Sequence, residues 1–278
     1  GGHGTGFMDQ RQGSAKGISF DDETGNYIRT KEIGRLMREA GGADILAFDS
    51  CTMQMGEVLA EIGDSARFVV GSEETVPGLG FPYFAILGRF NSGAGAEEIA
   101  SLITREYEAF YRNAGLGVHI SSVRTDRLPG FYAAVRNFTS LALKSEDRKA
   151  LKAAKDGVFR FEIFPGDKKK ITFYGDLYDF AGLLRDNLEK PDIHLAAAVE
   201  NLQRYISVEL VAANRGSGTD SIGNSYARAH GVALYMAPVL SNKISQAKVE
   251  GIFEVSYDEY EFAKRTGWHD LVIKMYGL

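Results

Sequence analysis

The sequence predicts an open α/β fold in which a buried parallel strand delivers Cys51 to the crevice at its carboxyl end. Three observations carry the prediction. Residues 45–48 (Ile-Leu-Ala-Phe) form an apolar run of strand length. From Met53 the apolar positions Met53, Met55, Val58, Leu59 and Ile62 fit a helix, which leaves residues 49–52 as the turn between them. Upstream, residues 31–40 place Ile33, Leu36, Met37 and Ala40 on one helical face and stop at Gly41-Gly42, so an amphipathic helix crosses over into the Cys51 strand. Downstream, residues 67–72 read as the next strand. Ligands and nucleophiles of open α/β sheets gather at the carboxyl ends of the strands, where side chains emerge from a rigid support.

The remaining elements follow in order. Residues 96–114 make a long helix with Ile99, Leu102, Ile103, Tyr107 and Phe110 as its core stripe. Residues 118–123 alternate as a strand does, and Leu128-Pro129-Gly130 precedes a helix to about Leu143. The charged stretch 146–155 reads as a surface helix, and Lys168-Lys169-Lys170 as a solvated loop. Strands are expected at 171–174, 208–213 and 231–236, and helices at 177–188 and 193–206, with 214–220 as a turn or loop. Trp268, the only tryptophan, is expected to pack a terminal helix onto the rest.

Composition narrows the function classes. The chain has 278 residues, 44% apolar and 25% charged, with a formal net charge of -5. That length suits one large or two ordinary domains. No apolar run approaches the ~20 residues a membrane span requires, and a mildly acidic chain offers no basic footprint for nucleic acid.

Cys51 is the only cysteine, which excludes an internal disulfide and a thiolate zinc site. A lone cysteine in such a turn is either a buried small hydrophobe or a nucleophile. The opening Gly1-Gly2-His3-Gly4-Thr5-Gly6 bears on that choice. A histidine between glycines has nothing beside it to pack against, but is well placed where backbone bends sharply near a substrate. His3 is therefore a candidate general base for Cys51, and the N–H groups of Gly4 and Cys51 are candidates for binding an oxyanion. A phosphate-cradling loop is the competing reading of the glycines, but the closing Lys-Ser/Thr pair and the strand and helix of a dinucleotide fingerprint are missing. Glu73 and Glu74 suggest an acid/base pair, although neighbouring loop carboxylates are more often solvated or bonded to backbone. His119, His194, His230 and His269 are scattered and read as core or surface histidines, and no group of residues has metal-ligand spacing.

His3-Gly4, Phe48-Asp49-Ser50-Cys51 with Met53 and Glu57, Val69-Val70-Gly71-Ser72-Glu73-Glu74-Thr75 and Pro77-Gly78-Leu79-Gly80-Phe81-Pro82-Tyr83 together resemble the clostripain family of cysteine peptidases. The likeness is strongest from residue 1 to about Leu87 and recurs in Asp176-Leu177-Tyr178-Asp179-Phe180-Ala181 and in Ala229-His230-Gly231-Val232-Ala233-Leu234-Tyr235. The resemblance implies a caspase-like α/β/α sandwich with a mostly parallel central sheet. A catalytic portion is expected at residues 1–130 and a smaller α+β C-terminal domain at 131–278. Only two residues precede His3, so the first strands of such a sheet are expected from a missing N-terminal part of the same protein.

Carried over position by position, the resemblance implies His3 and Cys51 as the catalytic dyad and Asp49 at the base of the S1 pocket, selecting Arg or Lys. Guanidinium pairs with a carboxylate bidentately, and ammonium more weakly. Leu79 stands where many relatives carry an acidic residue, which leaves the pocket one carboxylate fewer. The loop that contains Ser72, Glu73 and Leu79 is expected to line the cleft. Self-cleavage of a zymogen is expected after Lys16, or else Arg11, in the polar loop between histidine and cysteine. The resemblance implies a polypeptide substrate, secretion or a cell-surface location, and no required cofactor, with calcium as a possible assisting ion. Two other classes stand beside this reading: a catalytically silent binding module on the same fold, and an acyl-transfer enzyme using the same dyad.

Overall fold

The computed structural model describes residues 4–7, 18, 19, 21, 23–91, 93–161, 172–239, 245–251, 253 and 255–278. His3, Arg11 and Lys16 lie outside the described residues, as do the lysines at 168–170 and the first residue of the strand expected from 171.

Helix α1 (Thr30–Glu39) leads into β1 (Ala43–Ala47), α2 (Gly56–Ile62) and β2 (Ala66–Gly71). The strands β1 and β2 pair in parallel, Ala43 with Ala66 and Ala47 with Val70. A short helix α3 (Tyr83–Leu87) and the long α4 (Ala96–Asn113) then return the chain to β3 (Val118–Arg124), which runs antiparallel to β2. The fourth strand, β5, is Val211–Ser217 and pairs antiparallel with β3. The order is β1-β2-β3-β5, with three strands pointing one way and β3 reversed. Among the described residues β1 is an outermost strand.

Strand alternation splits the core across the two faces of this sheet. Phe68 and Val70 of β2, with Val118 and Ile120 of β3, face Ala100, Ile103, Tyr107 and Tyr111 of α4. Val69 and Val123 point the other way, into a larger cluster with α2, with Phe131, Val135 and Phe138 of α5 (Leu128–Lys144), and with Trp268. The result is an α/β/α sandwich. A separate two-stranded sheet, β4 (Tyr174–Asp176) with β6 (Ala233–Tyr235), touches the Cys51 turn through a parallel bridge between Met55 and Ala233. The 130/131 boundary falls in the first turn of α5, and β5 beyond it pairs with β3 in the sheet that β1 and β2 begin.

Several expectations change. The strand expected at 208–213 and the turn at 214–220 are displaced: α8 (Ile193–Arg204) runs on in a π-helical stretch to Leu210, and Asn214, Arg215, Gly216 and Ser217 are strand residues. Asn, Gly and Ser are poor strand formers locally, but here each pairs with β3, Asn214 with Ser121 and Ser217 with Val118. The expected surface helix at 146–155 is α6 (Arg148–Gly157), capped by Asp147, and it buries Ala150, Leu151, Ala154 and Lys155. Between it and β6 comes α7 (Leu177–Asp186); the chain closes with α9 (Gln246–Glu250), α10 (Glu261–Thr266) and α11 (Trp268–Tyr276). Trp268 is wholly buried and donates its indole N–H to the Tyr235 carbonyl at 2.7 Å. No described helix is long and apolar enough to cross a membrane.

Glu57, in the first turn of α2, is wholly buried. Its Oε1 accepts from the Tyr235 N–H at 2.9 Å and the Tyr257 hydroxyl at 2.7 Å. Burial pushes this carboxyl from its ordinary 4.5 up to about 7, with the two hydrogen bonds partly offsetting the rise. The folded state therefore binds the extra proton between those values. Its contribution to stability is complete below pH 4.5 and falls by about 3 kcal/mol as pH rises through 7. In urea denaturation at pH 5 and pH 8, Glu57→Gln is expected to flatten this slope; an equal pH dependence in both proteins contradicts the assignment.

Candidate active site

The peptide after β1 continues the ladder for one residue, with the Phe48 N–H on the Val70 carbonyl at 2.8 Å, and then turns out of the sheet through Asp49, Ser50 and Cys51. Residues 53–55 are not yet helical, contrary to the apolar spacing. The Thr52 N–H donates to Glu74 O and the Gln54 N–H to Ser72 O, both at 3.1 Å, while Gln54 O accepts from the Ala233 N–H. These long-range bonds hold the segment extended until Gly56. The turn carries strain: Thr52 has φ 53°, a left-handed conformation that costs a β-branched residue about 1–3 kcal/mol.

Cys51 is half-buried, and its Sγ accepts from the Val76 N–H at 3.3 Å. Burial pushes the thiol pKa up. The backbone N–H groups of Val76, Gly4 and Cys51 itself pull it down, and the nearby Glu74 charge adds to the rise. Taken alone, the thiol is a protonated nucleophile that needs a base.

The segment bearing the sequence-predicted base is fastened beside it. A Cβ on Gly4 would stand 2.4 Å from the Cys51 carbonyl oxygen and 2.9 Å from Ser50 Cβ, so only glycine allows this approach. Three hydroxyls then hold three successive carbonyls: Tyr174 on Thr5 at 2.6 Å, Thr30 on Gly6 at 2.8 Å and Tyr260 on Phe7 at 2.7 Å. The Phe7 ring is wholly buried among Tyr174, Tyr235, Phe253, Tyr257 and Tyr260, with centroids 5.3–5.9 Å away and edge-on geometry throughout. Gly4→Ala is accordingly expected to lower kcat/KM by about 100-fold or more, since a displacement near 1 Å at reacting groups has that effect. The thermal midpoint distinguishes this from unfolding; activity retained within threefold would count against a close Gly4–Cys51 approach.

Asp49 sits two residues before the thiol. Its Oδ1 accepts from the Phe81 N–H at 3.0 Å and its Oδ2 from the Tyr83 hydroxyl at 2.9 Å. Gly80, at φ 67°, passes so close that a Cβ would lie 2.6 Å from Oδ2. The Tyr111 hydroxyl braces the same loop through Gly80 O at 2.6 Å. Leu79 stands exposed at its tip.

Ser72 and Glu73, expected on the cleft surface, are wholly buried, and Glu74 is nearly so. Residues 72–74 run beside Thr52 and Gln54 as an extension of the sheet, so the chain emerges only from Thr75. Ser72 Oγ donates to the His119 carbonyl at 2.7 Å. Glu73 accepts from the Gly231 N–H at 3.0 Å and lies 3.3 Å from His119 Nδ1; burial and the neighbouring Asp176 charge push its pKa well up. His119 bonds Asn214 at 2.7 Å, and burial holds it neutral with a pKa of about 4. Among the scattered histidines, His230 stacks on Tyr178 at 4.0 Å with Nδ1 3.3 Å from Asp176. Burial opposes its charged form, but the Asp176 hydrogen bond and charge outweigh it and raise the pKa. The two distant stretches singled out in the sequence therefore meet beneath the Cys51 turn. Spacing carried no sign of the Val76 N–H on sulfur or the Tyr83 hydroxyl on Asp49, because both arise from loop packing.

The 74–78 loop also lines a cleft of about 780 Å³, together with Leu116, Thr219 and Tyr226 among others. It shares the loop with Cys51 but includes neither Cys51 nor Asp49. Among the described residues no three His, Cys, Asp or Glu side chains are grouped to hold a metal ion.

Comparison with known proteins agrees with this geometry. A secreted C11 cysteine protease from Bacteroides thetaiotaomicron, solved with an irreversible peptide inhibitor, superposes with a TM-score of 0.63 at 20% identity, over 96% of this chain and 70% of that one. A clostripain from Bacteroides thetaiotaomicron ATCC 29148, in complex with the peptide inhibitor BTN-VLTK-AOMK, gives 0.62 at 15% identity, over 89% and 97%. An inactive zymogen C11 protease from Parabacteroides distasonis gives 0.61 at 17% identity, over 95% and 68%. At these identities the likeness establishes the fold. The search of curated proteins finds no match. Residues 2–273 match the clostripain family model, peptidase C11, across nearly the whole sequence. With a cysteine at the strand-end turn and the C11 fold around it, the chain belongs to the clostripain family of cysteine proteases.

Proposed function

We propose that this chain is an endopeptidase that cleaves after Arg, and less readily Lys, through a Cys51–His3 dyad. The observation that carries the reading is the packing of Gly4, the covalent neighbour of His3, directly on the Cys51 carbonyl. In the proposed reaction His3 takes the Cys51 proton as sulfur attacks the scissile carbonyl. The N–H groups of Gly4 and Cys51 hold the resulting oxyanion. The tetrahedral intermediate collapses to a thioester as the imidazolium gives its proton to the departing amine. Water, deprotonated by His3, then attacks the thioester and expels the thiolate, which recovers its proton.

Asp49 is the S1 carboxylate of this proposal. The Phe81 N–H and the Tyr83 hydroxyl fix the orientation of its carboxylate beside the Cys51 turn. Leu79 in place of a second acid favours guanidinium, which can pair bidentately, over ammonium. The inhibitor peptide VLTK bound by one relative points to the same substrate class.

The chain is further proposed to mature by its own cleavage after Lys16 or Arg11, with an inactive zymogen among its relatives in support. The Phe7 anchor keeps the residues after His3 in place on such a cut. The outermost strand β1 is where a strand from a preceding part of the same protein would pair. Secretion is proposed from the secreted relative. No step of the proposed reaction runs through calcium.

The test is intact mass after incubation of the full-length protein, wild type beside Cys51→Ala, with and without an Arg-directed chloromethylketone and with and without calcium. A single adduct on Cys51, and fragments ending at Lys16 or Arg11 in wild type only, are expected. No adduct and no fragments under any condition would overturn the peptidase assignment. An adduct without fragments would leave the peptidase and remove self-processing.

A further inference from the structure

The short helix α3 and the turns around it expose an uncommon set of large apolar side chains. Phe84 is 96% and Leu79 77% exposed, and Tyr83, Leu87 and Phe90 are exposed beside them. Single exposed apolar residues are ordinary, whereas a cluster marks a contact surface. Folding does not require this face outward. Its helix is already anchored through Ile86, which is buried with Phe81 and Tyr107 against the sheet. Phe84 and Leu87, three residues apart, lie on one side of the helix. Arg89, the first cation after the helix in sequence, is engaged with Glu106 at 3.1 Å, and the exposed side chains of the cluster are apolar.

Its occupant follows from where the cluster begins. Tyr83 donates its hydroxyl to Asp49, and Asp49 lies two residues from Cys51. The apolar face is thus continuous with the rim of the proposed S1 pocket. A polypeptide that reaches Asp49 with a basic side chain passes Tyr83, which brings its neighbouring residues within reach of Phe84 and Leu79. We propose that Leu79, Tyr83, Phe84 and Leu87 form a platform for large apolar side chains of the substrate within a few residues of the basic one. The enzyme would then select basic residues in apolar surroundings, with the exposed leucine as part of the subsite. This rests on the reading of Asp49 as the S1 carboxylate.

The test uses two ten-residue peptides, each with one central Arg, flanked on both sides by Leu and Phe in one and by Ser and Gly in the other. Cleavage is followed by mass spectrometry with wild type and the double variant Phe84→Ser/Leu87→Ser. Wild type is expected to favour the apolar peptide in kcat/KM by about tenfold or more. The double variant should bring the ratio to within about twofold, chiefly through KM for the apolar peptide. Both side chains are exposed, and chloromethylketone labelling of Cys51 reports that the variant's site is intact.

Cleavage of both peptides after Arg at equal rates by wild type overturns the platform and leaves the Asp49 reading standing. The same holds for a ratio that the double variant does not change. If the double variant also turns a sedimenting dimer into a monomer while the ratio stays put, the face belongs to a second copy of the chain, and the proposal fails. Absence of cleavage after Arg in both peptides overturns the Asp49 reading and the platform with it.

Discussion

Cys51→Ala is expected to lower kcat/KM on peptide substrates by on the order of 10⁴ or more, because residues of a nucleophile–base unit act together and either loss removes the covalent route. The fold should tolerate the change. The side chain is half-buried at a turn rather than packed in the core, and the Val76 N–H that donates to its sulfur loses about 1 kcal/mol of hydrogen bonding. A companion measurement probes how the thiol is held. Burial raises its pKa, with the Glu74 charge adding to the effect, while three backbone N–H groups only partly compensate. Alkylation of Cys51 at pH 7 is therefore expected to be slower than that of an unperturbed thiol until a positive partner is in place. Fast alkylation of Cys51 in Gly4→Ala would show that the Gly4 approach does not govern the thiol, and activity surviving in Cys51→Ala would point to a nucleophile elsewhere.

Asp49→Asn carries the second large effect, a loss of about 10² to 10³ in kcat/KM for Arg-terminated substrates, the size expected when one partner of a desolvated charge pair is removed. The substitution keeps the shape and an acceptor for the Phe81 N–H or the Tyr83 hydroxyl, so the 77–83 loop has little reason to move. That separates charge from architecture. Hydrolysis of substrates with an uncharged residue before the scissile bond should change by no more than a few-fold, and the Arg preference should shrink accordingly. An equal loss on both substrate types would mean that Asp49 serves the loop and not the substrate.

Local pattern was enough for much of the frame. The strand at 118–123 and the helix at 96–114 are present as β3 and α4, although Phe110 of the expected stripe is exposed, and the strand and turn before Cys51 lead to α2 three residues later than the spacing implied. Each is written in spacing over a few turns or strand repeats. The candidates for the site stood out for the same reason: a lone cysteine at a strand end and a histidine set among glycines are features of the chain itself.

What the sequence determined alone was most of the helices, the strands up to β3, and a cysteine with an acid two residues before it as candidates for the site. Tertiary structure decided the rest. Asn214 to Ser217 became a strand because β3 offered partners. Residues 53–55 stayed out of the helix because Gln54 bonds to Ser72 and Ala233. Glu73 went inside because Gly231 and His119 receive it there. In each case the deciding bond joins residues far apart in the chain, and local propensity, worth tenths of a kcal/mol per residue, yields to a buried hydrogen bond whose loss costs about 1–3 kcal/mol.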